Sequence, residues 1–443
     1  MSSPTHTATT VSAPFAVQAP PELDHGAATA DLTLTGELDE PWRGFGACFN
    51  ELGWVALSKL DTAEREQVLD RLFDPTGEAR FNFCRLPIGA NDYSLGWYSL
   101  ADTPNDFEMR HFSIKRDRHC LIPYIQAALR RFPELTLFAS PWSPPVWMKR
   151  PAIYNGGRFI QEQCYWEAYA RYFLRFVEEY AAEGIRIAQV HVQNEPVSRQ
   201  PFPSCVMSGE EFRIFIGKYL GPLFEKNGCE TEIWLGTLNG PETDERKFRS
   251  GFNEYANAVL LDPDAGKYTK GVSYQWAGKY ALHRTRLAFP NVPLIQSENE
   301  CGEGANSWEH AWYVADLLHH YLSHGVIGYV YWNSVLEPKG ESTWGWRQNS
   351  LFTVDPQRGA ISANPEYHIM RHYSAFVKRG DRRETCASPW AGNAVAFRRE
   401  EDHSAAVIVR NPFAGGRSIR IADGSRRWRV QLSPESLNTV ILS

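Results

Sequence analysis

Apolar runs that end in polar residues recur along residues 44–333, with amphipathic segments between them. The runs predict strands at Gly44–Phe49, Phe81–Pro87, Leu135–Ser140, Ile185–Val192, 231–236, 270–276, 293–298 and 327–332. Leu135–Ser140 is continuously apolar, as strands of a buried parallel sheet are. Between strands, a helix is predicted over Asp61–Phe73, with Asp61 as N-cap and Glu64 completing a capping box. Apolar positions 166, 169, 173, 176, 177 and 180 follow a 3.6-residue period and stop at Gly184. Ser208 and Glu211 form a second capping box, and a last helix spans 306–323. Eight strands alternating with helices predict an α/β fold, a (β/α)8 TIM barrel. A doubly wound sheet is disfavoured, because no glycine-rich phosphate loop follows the first strand.

After about residue 378 the pattern shortens. Strands at 393–399, 405–411, 418–422, 428–432 and 439–442 are separated by turn pairs such as Gly415-Gly416 and Asp423-Gly424. They predict a small β-sandwich. The domain reading is a disordered leader at 1–25, an N-terminal strand of the β-domain within 26–43, a catalytic barrel at 44–378 and the β-sandwich at 379–443. The leader is rich in Ser, Thr, Ala and Pro. It lacks a basic start and an apolar segment, so the expected location is the cytoplasm, or outside the cell if a signal precedes it.

Composition adds three constraints. The net charge of −6, without a basic block, argues against nucleic acid. No apolar run is long enough for a transmembrane segment. The eight cysteines are scattered with no metal spacing, and Cys48 and Cys84 read as small buried hydrophobes. His319, His320 and His324 share a predicted helix but lack a carboxylate at zinc-site spacing, so they read as a solvated face. No metal or other cofactor is expected, and oligomeric state is left open. The 15 Trp, 19 Tyr and 24 Phe exceed what a core requires and suit a carbohydrate partner, since a sugar ring has an apolar face and a polar rim.

Two carboxylates stand at the C-terminal ends of predicted strands, where barrel enzymes place their sites. Glu195 closes the fourth strand in His191-Val192-Gln193-Asn194-Glu195-Pro196. Glu298 closes the seventh, with Glu300 two residues on as a competitor. Strands four and seven can aim side chains into one mouth, and a carboxylate pair about 5–5.5 Å apart cleaves glycosides with retention. Glu298 would be the nucleophile and Glu195 the acid/base. Burial and neighbouring charge would raise the pKa of Glu195, and Arg85 would lower that of Glu298. A non-catalytic carbohydrate-binding barrel is the alternative.

Several segments together resemble glycoside hydrolase family 30, which contains glucosylceramidase and microbial β-1,6-glucanases. They are Gly44-Phe45-Gly46-Ala47, Arg85-Leu86-Pro87 with Asn91-Asp92-Tyr93-Ser94, the stretch Ser140-Pro141-Trp142-Ser143-Pro144-Pro145-Val146-Trp147-Met148-Lys149, then Asn194-Glu195-Pro196, Ser297-Glu298 and Trp332-Asn333. The resemblance runs from Gly44 to about Arg379 and implies a barrel with a β-domain built from both ends of the chain. It implies that Glu195 is acid/base and Glu298 nucleophile, that Asn194 binds the sugar 2-hydroxyl and that Arg85 steadies the nucleophile. Asp92, Trp142 and Trp332 would line the sugar pocket, Trp276 would follow the sixth strand, and Trp344 and Trp346 would border the entrance. Gln275 and Ala277 stand where glucosylceramidase-like members have His and Tyr. A soluble β-linked glucoside or galactoside, β-1,6-linked for preference, is therefore expected over a ceramide glycoside.

Overall fold

The computed structural model describes residues 3–26, 28–240 and 254–443. Eight parallel strands close into a barrel. They are numbered β1 (Gly44–Cys48), β2 (Phe83–Ile88), β3 (Thr136–Pro141), β4 (Gln189–His191), β5 (Glu232–Leu238), β6 (Thr269–Gln275), β7 (Leu294–Glu298) and β8 (Val326–Asn333). The ring closes where Val330 of β8 pairs with Gly46 of β1. Every residue of β1, β2, β7 and β8 is buried, so none of these strands alternates between a core face and a solvent face.

The helical layer follows the predicted punctuation. Helix α1 (Thr62–Phe73) carries the Asp61–Glu64 capping box, with Asp61 Oδ1 2.8 Å from the Glu64 amide. Helix α2 spans Gln163–Ala182, and Gly184 after it takes the left-handed φ of +75° that favours glycine. Ser208 and Glu211 also form their capping box. Helix α3 is Trp308–Ser323, capped by Ser307, and α4 is Pro365–Ser374. Sequence patterning did not reveal α4.

The strands of the β-domain are hydrogen-bonded into one continuous ten-stranded mixed sheet. Its middle strands alternate strictly. Ala396, Val407, Val440 and Leu442 face a second core with Leu32, Ile421 and Trp428. Their neighbours Phe397, Ile408 and Ile441 face the barrel core. A strand's two faces thus weld two cores together. Leu32–Pro41 lies within this sheet, beside Arg382–Ala387.

The expected leader needs correction. Thr5–Thr9 is a strand, paired along its length with Ser436–Leu442, and Ala16–Val17 pairs outside it. Its buried positions are held by polar contacts. His6 Nε2 meets Asn438 Oδ1 at 3.0 Å, and Thr9 Oγ1 meets His372 Nε2 at 2.8 Å.

Candidate active site

Arg85 organises the C-terminal mouth of the barrel. It projects from β2 and is fully buried. Its Nη1 donates to Glu298 Oε2 at 2.9 Å, to Gln275 Oε1 at 3.1 Å and to the Ser297 carbonyl at 3.1 Å. Its Nη2 donates to Ser140 Oγ and Asn194 Oδ1, each at 2.7 Å. Trp142 covers the guanidinium at 4.5 Å. Strands β2, β3, β4, β6 and β7 are thereby tied to one cation by groups that can only accept or can turn to accept.

Glu298 ends β7. Its Oε2 takes the bond from Arg85, and its Oε1 accepts from Trp276 Nε1 at 3.0 Å. Glu195 stands just past β4, whose pairing continues through Gln193 and Glu195 to Thr237. Both Glu195 (φ +49°) and Trp276 (φ +48°) adopt the left-handed backbone region that non-glycine residues rarely enter. Such conformations cost energy and cluster where side-chain aim matters. Here they accompany the two side chains that meet the cavity from β4 and β6.

The two carboxyls have different surroundings. Glu195 Oε1 accepts from Gln275 Nε2 at 3.2 Å and Oε2 from Gln200 Nε2 at 2.8 Å. Burial, then the charge of Glu298, pushes Glu195 up to about 7. Burial raises Glu298 as well, opposed first by Arg85 and then by the Trp276 indole and the Gln275 amide. The expected depression of Glu298 by Arg85 is therefore outweighed by desolvation. The guanidinium contact still belongs to Glu298 alone of the pair, and it favours the charged form there.

These groups surround a cavity of about 260 Å³. Asp92, Trp142, Asn194, Glu195, Trp276 and Glu298 line it, as predicted residues. Asp92 Oδ1 is buried without a partner among the described residues, while Oδ2 accepts from Gln348 at 3.3 Å. Asn194 Oδ1 is occupied by Arg85, Thr237 and Gln275, which leaves its Nδ2 as the group free to donate.

A model of the glycosyl hydrolase family 30 TIM-barrel domain matches residues 42–377. The chain belongs to glycosyl hydrolase family 30. It is an O-glycosyl hydrolase, and its substrate is a carbohydrate. The chain is 28% identical to the lysosomal acid glucosylceramidase of Mus musculus, covering 93% of this chain and 84% of that protein. It is 25% identical to an endo-1,6-β-D-glucanase of Neurospora crassa, covering 94% and 88% respectively. In fold it is similar to SrfJ from Salmonella typhimurium (TM-score 0.89, 24% identity, 99% of each chain) and to the endo-β1,6-glucanase BT3312 (TM-score 0.88, 23% identity, 100% of this chain and 99% of that one).

Within this family 30 barrel, three predicted residues stand one layer back from the cavity. Trp332 packs on Trp142 with centroids 5.5 Å apart and lies 5.8 Å from the Arg85 guanidinium carbon. Gln275 bridges Arg85 and Glu195 from behind. Trp344 packs between Phe202 and Trp346, and Trp346 forms the wall. Glu300 is held away by Lys279 Nζ at 2.6 Å and Tyr313 at 2.7 Å, so the competitor to Glu298 is a structural ion pair. His320 and His324 are half-buried, and each is bonded to a backbone carbonyl, rather than forming a solvated face. Sequence reasoning missed Ser198, Gln200, Phe202, Asn239 and Gln348 in the lining. All five lie beyond the barrel strands in segments without periodicity. For Ser198, Gln200, Phe202 and Gln348 the sequence signal was closeness to Glu195-Pro196 or Trp346, and for Asn239 it was its place just past the fifth strand.

Proposed function

We propose that this hydrolase is a retaining β-glycosidase in which Glu298 is the nucleophile and Glu195 the acid/base. The observation that carries the reading is Gln275. Its Nε2 donates to Glu195 Oε1 at 3.2 Å, and its Oε1 shares Arg85 Nη1 with Glu298 Oε2, so both carboxyls are tied to one side chain. That supports the short separation of double displacement, about 5–5.5 Å, over the wider gap that admits a water for inversion.

In this reading Glu298 attacks the anomeric carbon while Glu195 gives its proton to the leaving oxygen. The C–O bond breaks and a glycosyl ester forms on Glu298. Glu195, now a carboxylate, takes a proton from water as that water attacks the anomeric carbon and frees the sugar. Arg85 stabilises the carboxylate released at Glu298. Asn194 Nδ2 donates to the 2-hydroxyl, and Asp92 Oδ1 accepts from hydroxyls on the same ring.

The favoured substrate is a β-linked glucoside or galactoside of soluble type, with a β-1,6-linked oligo- or polysaccharide preferred over glucosylceramide. Ser198, Gln200 and Asn239 give the outer cavity hydrogen-bonding groups that suit a sugar aglycone rather than alkyl chains. Ala277 adds room beside Trp276. The names of the relatives support both substrate classes, and the lining supports the soluble one.

The test follows the first sugar anomer released from p-nitrophenyl β-glucoside, β-galactoside and β-1,6-linked oligosaccharides by proton NMR. The β-anomer should appear first and then mutarotate. First release of the α-anomer would overturn retention, and undiminished turnover by Glu298→Gln would remove Glu298 as nucleophile.

A further inference from the structure

Each oxygen of Glu195 meets a different glutamine, and the two amides are not equivalent. Gln275 Oε1 accepts from Arg85 Nη1 at 3.1 Å and from Ser297 Oγ at 3.0 Å. A guanidinium can only donate, so the oxygen of Gln275 must face it. Its Nε2 must then face Glu195 Oε1 at 3.2 Å and Asn194 Oδ1 at 3.3 Å. Asn194 Oδ1 is itself fixed as an acceptor by Arg85 Nη2. A proton on Glu195 Oε1 would point at an N–H that cannot turn away.

Gln200 differs. It sits on the loop after β4, lines the cavity and is half-buried. Among the described residues, its amide bonds to one partner, Glu195 Oε2 at 2.8 Å. Rotating that amide by half a turn exchanges donor for acceptor and breaks no other bond. Its backbone is meanwhile anchored. Gln200 N donates to Ser204 Oγ at 3.1 Å. The Ser204 carbonyl accepts from Lys149 Nζ at 2.8 Å, and the same ammonium holds Ser143 Oγ at 2.7 Å and the Tyr154 carbonyl at 3.0 Å. The loop is held in place while the end of one side chain keeps its freedom to turn.

We propose that Gln200 is a positioning residue that selects Oε2 of Glu195 as the oxygen carrying the transferred proton, accepting from it in the acid state and donating to it in the base state. The inference rests on the reading of Glu195 as acid/base. In the free enzyme Oε2–H donates to the turned amide oxygen of Gln200. The leaving oxygen of the substrate then takes this proton as its bond to the anomeric carbon breaks and the Glu298 ester forms. Gln200 turns back and donates to the new carboxylate. Attacking water returns a proton to Oε2, the ester bond breaks, and the sugar leaves.

Gln200→Met and Gln200→Glu test this, with kcat and kcat/KM measured across pH on a p-nitrophenyl β-glycoside that the wild type cleaves. The charge-assisted bond to the carboxylate is stronger than the neutral bond to the acid, so losing both raises the pKa. Gln200→Met should therefore move the basic limb of kcat/KM up by about one pH unit. It should also lower kcat by about tenfold through slower release of the ester. With a 2,4-dinitrophenyl leaving group, which needs no proton, the basic limb of kcat/KM should flatten in wild type and variant alike. Gln200→Glu keeps the shape and adds a charge, so it should move the limb further up than Met does. Basic limbs that coincide with wild type in both variants would overturn the proposal, as would a uniform fall of every parameter with an unchanged pH profile. Glu195→Gln, run alongside, separates the two ideas. If it keeps full hydrolysis of the p-nitrophenyl glycoside, the acid/base reading itself fails.

Discussion

Arg85 Nη1 lies 2.9 Å from Glu298 Oε2, and the arginine side chain has no exposure to solvent. The same guanidinium also meets Ser140, Asn194, Gln275, Thr237 and the Ser297 carbonyl. Lysine keeps the charge but offers three donors from a single point, so it cannot satisfy acceptors spread over five strands. Arg85→Lys should lower kcat by about two to three orders of magnitude, in line with the loss of a preorganised charge contact. Arg85→Met should in addition cost about 3–5 kcal/mol of stability, because Glu298 is left buried and unpaired. Steady-state kinetics and denaturant unfolding check both. Wild-type kcat in the lysine variant would show that the guanidinium geometry is dispensable.

The pH dependence follows from Glu195. Burial and the neighbouring Glu298 push its pKa up to about 7, above the ordinary value of 4.5. A general acid must hold its proton, so kcat/KM should fall as pH rises through about 7. Glu195→Gln should abolish that limb together with cleavage of poor leaving groups. The stability contribution has the same sign. The native protein binds the proton more tightly than the unfolded chain between those two values, so stability declines as pH rises across that window. A basic limb that persists in Glu195→Gln would assign it to another group.

Asp92 offers a second lever. Burial and the charges of Glu298 and Glu195 raise its pKa well above the carboxylate range. Its Oδ1 has no partner among the described residues. Asp92→Ala should reduce kcat/KM by about tenfold to a hundredfold, the scale of one or two hydrogen bonds to sugar hydroxyls. Asp92→Asn keeps the shape and should recover part of that loss. Equal activity of all three proteins on β-glucoside and β-galactoside would exclude a contact with the sugar.

Removing residues 1–10 should destabilise the whole chain, not merely shorten it. Deletion strips the outer partner from Ser436–Leu442 and leaves His372 Nε2 without Thr9. The expected fall in Tm is about 5 °C or more. His372 also makes the intact fold acid-sensitive. Burial pushes its pKa down to about 3, so the unfolded chain takes up a proton near 6.5 that the fold refuses. Stability therefore drops as pH falls between those values. A truncated chain with the full-length Tm would show that this strand is ornamental.

The barrel was legible because most residues of strands buried on both faces are apolar. Asn194, Glu195 and Glu298 were readable because they stand at or just past strand ends, and Arg85 because it is a charge inside an apolar run. Gln200 and Phe202 were not. Their loop has no period, and their value depends on the fold bringing them back to the cavity. Trp332 and Gln275 were misjudged in depth, because sequence gives the direction of a strand end but not how many layers of side chain lie in front. Thr5–Thr9 escaped for a different reason. Its burial is secured by hydroxyl and imidazole bonds to Asn438 and His372, so it carries no alternating hydrophobic signature.

The order of strands in the large sheet also sets a timetable. Thr5–Thr9 leaves the ribosome long before its neighbour Ser436–Leu442. The sheet therefore cannot be completed until synthesis of this pair has finished, and such distant pairings are the slow step in assembly. A greasy strand would be a hazard during that wait, since unpaired apolar strands invite aggregation. Thr-His-Thr-Ala-Thr can wait in water. The polar make-up that hid this strand from sequence reading is what makes its late docking safe.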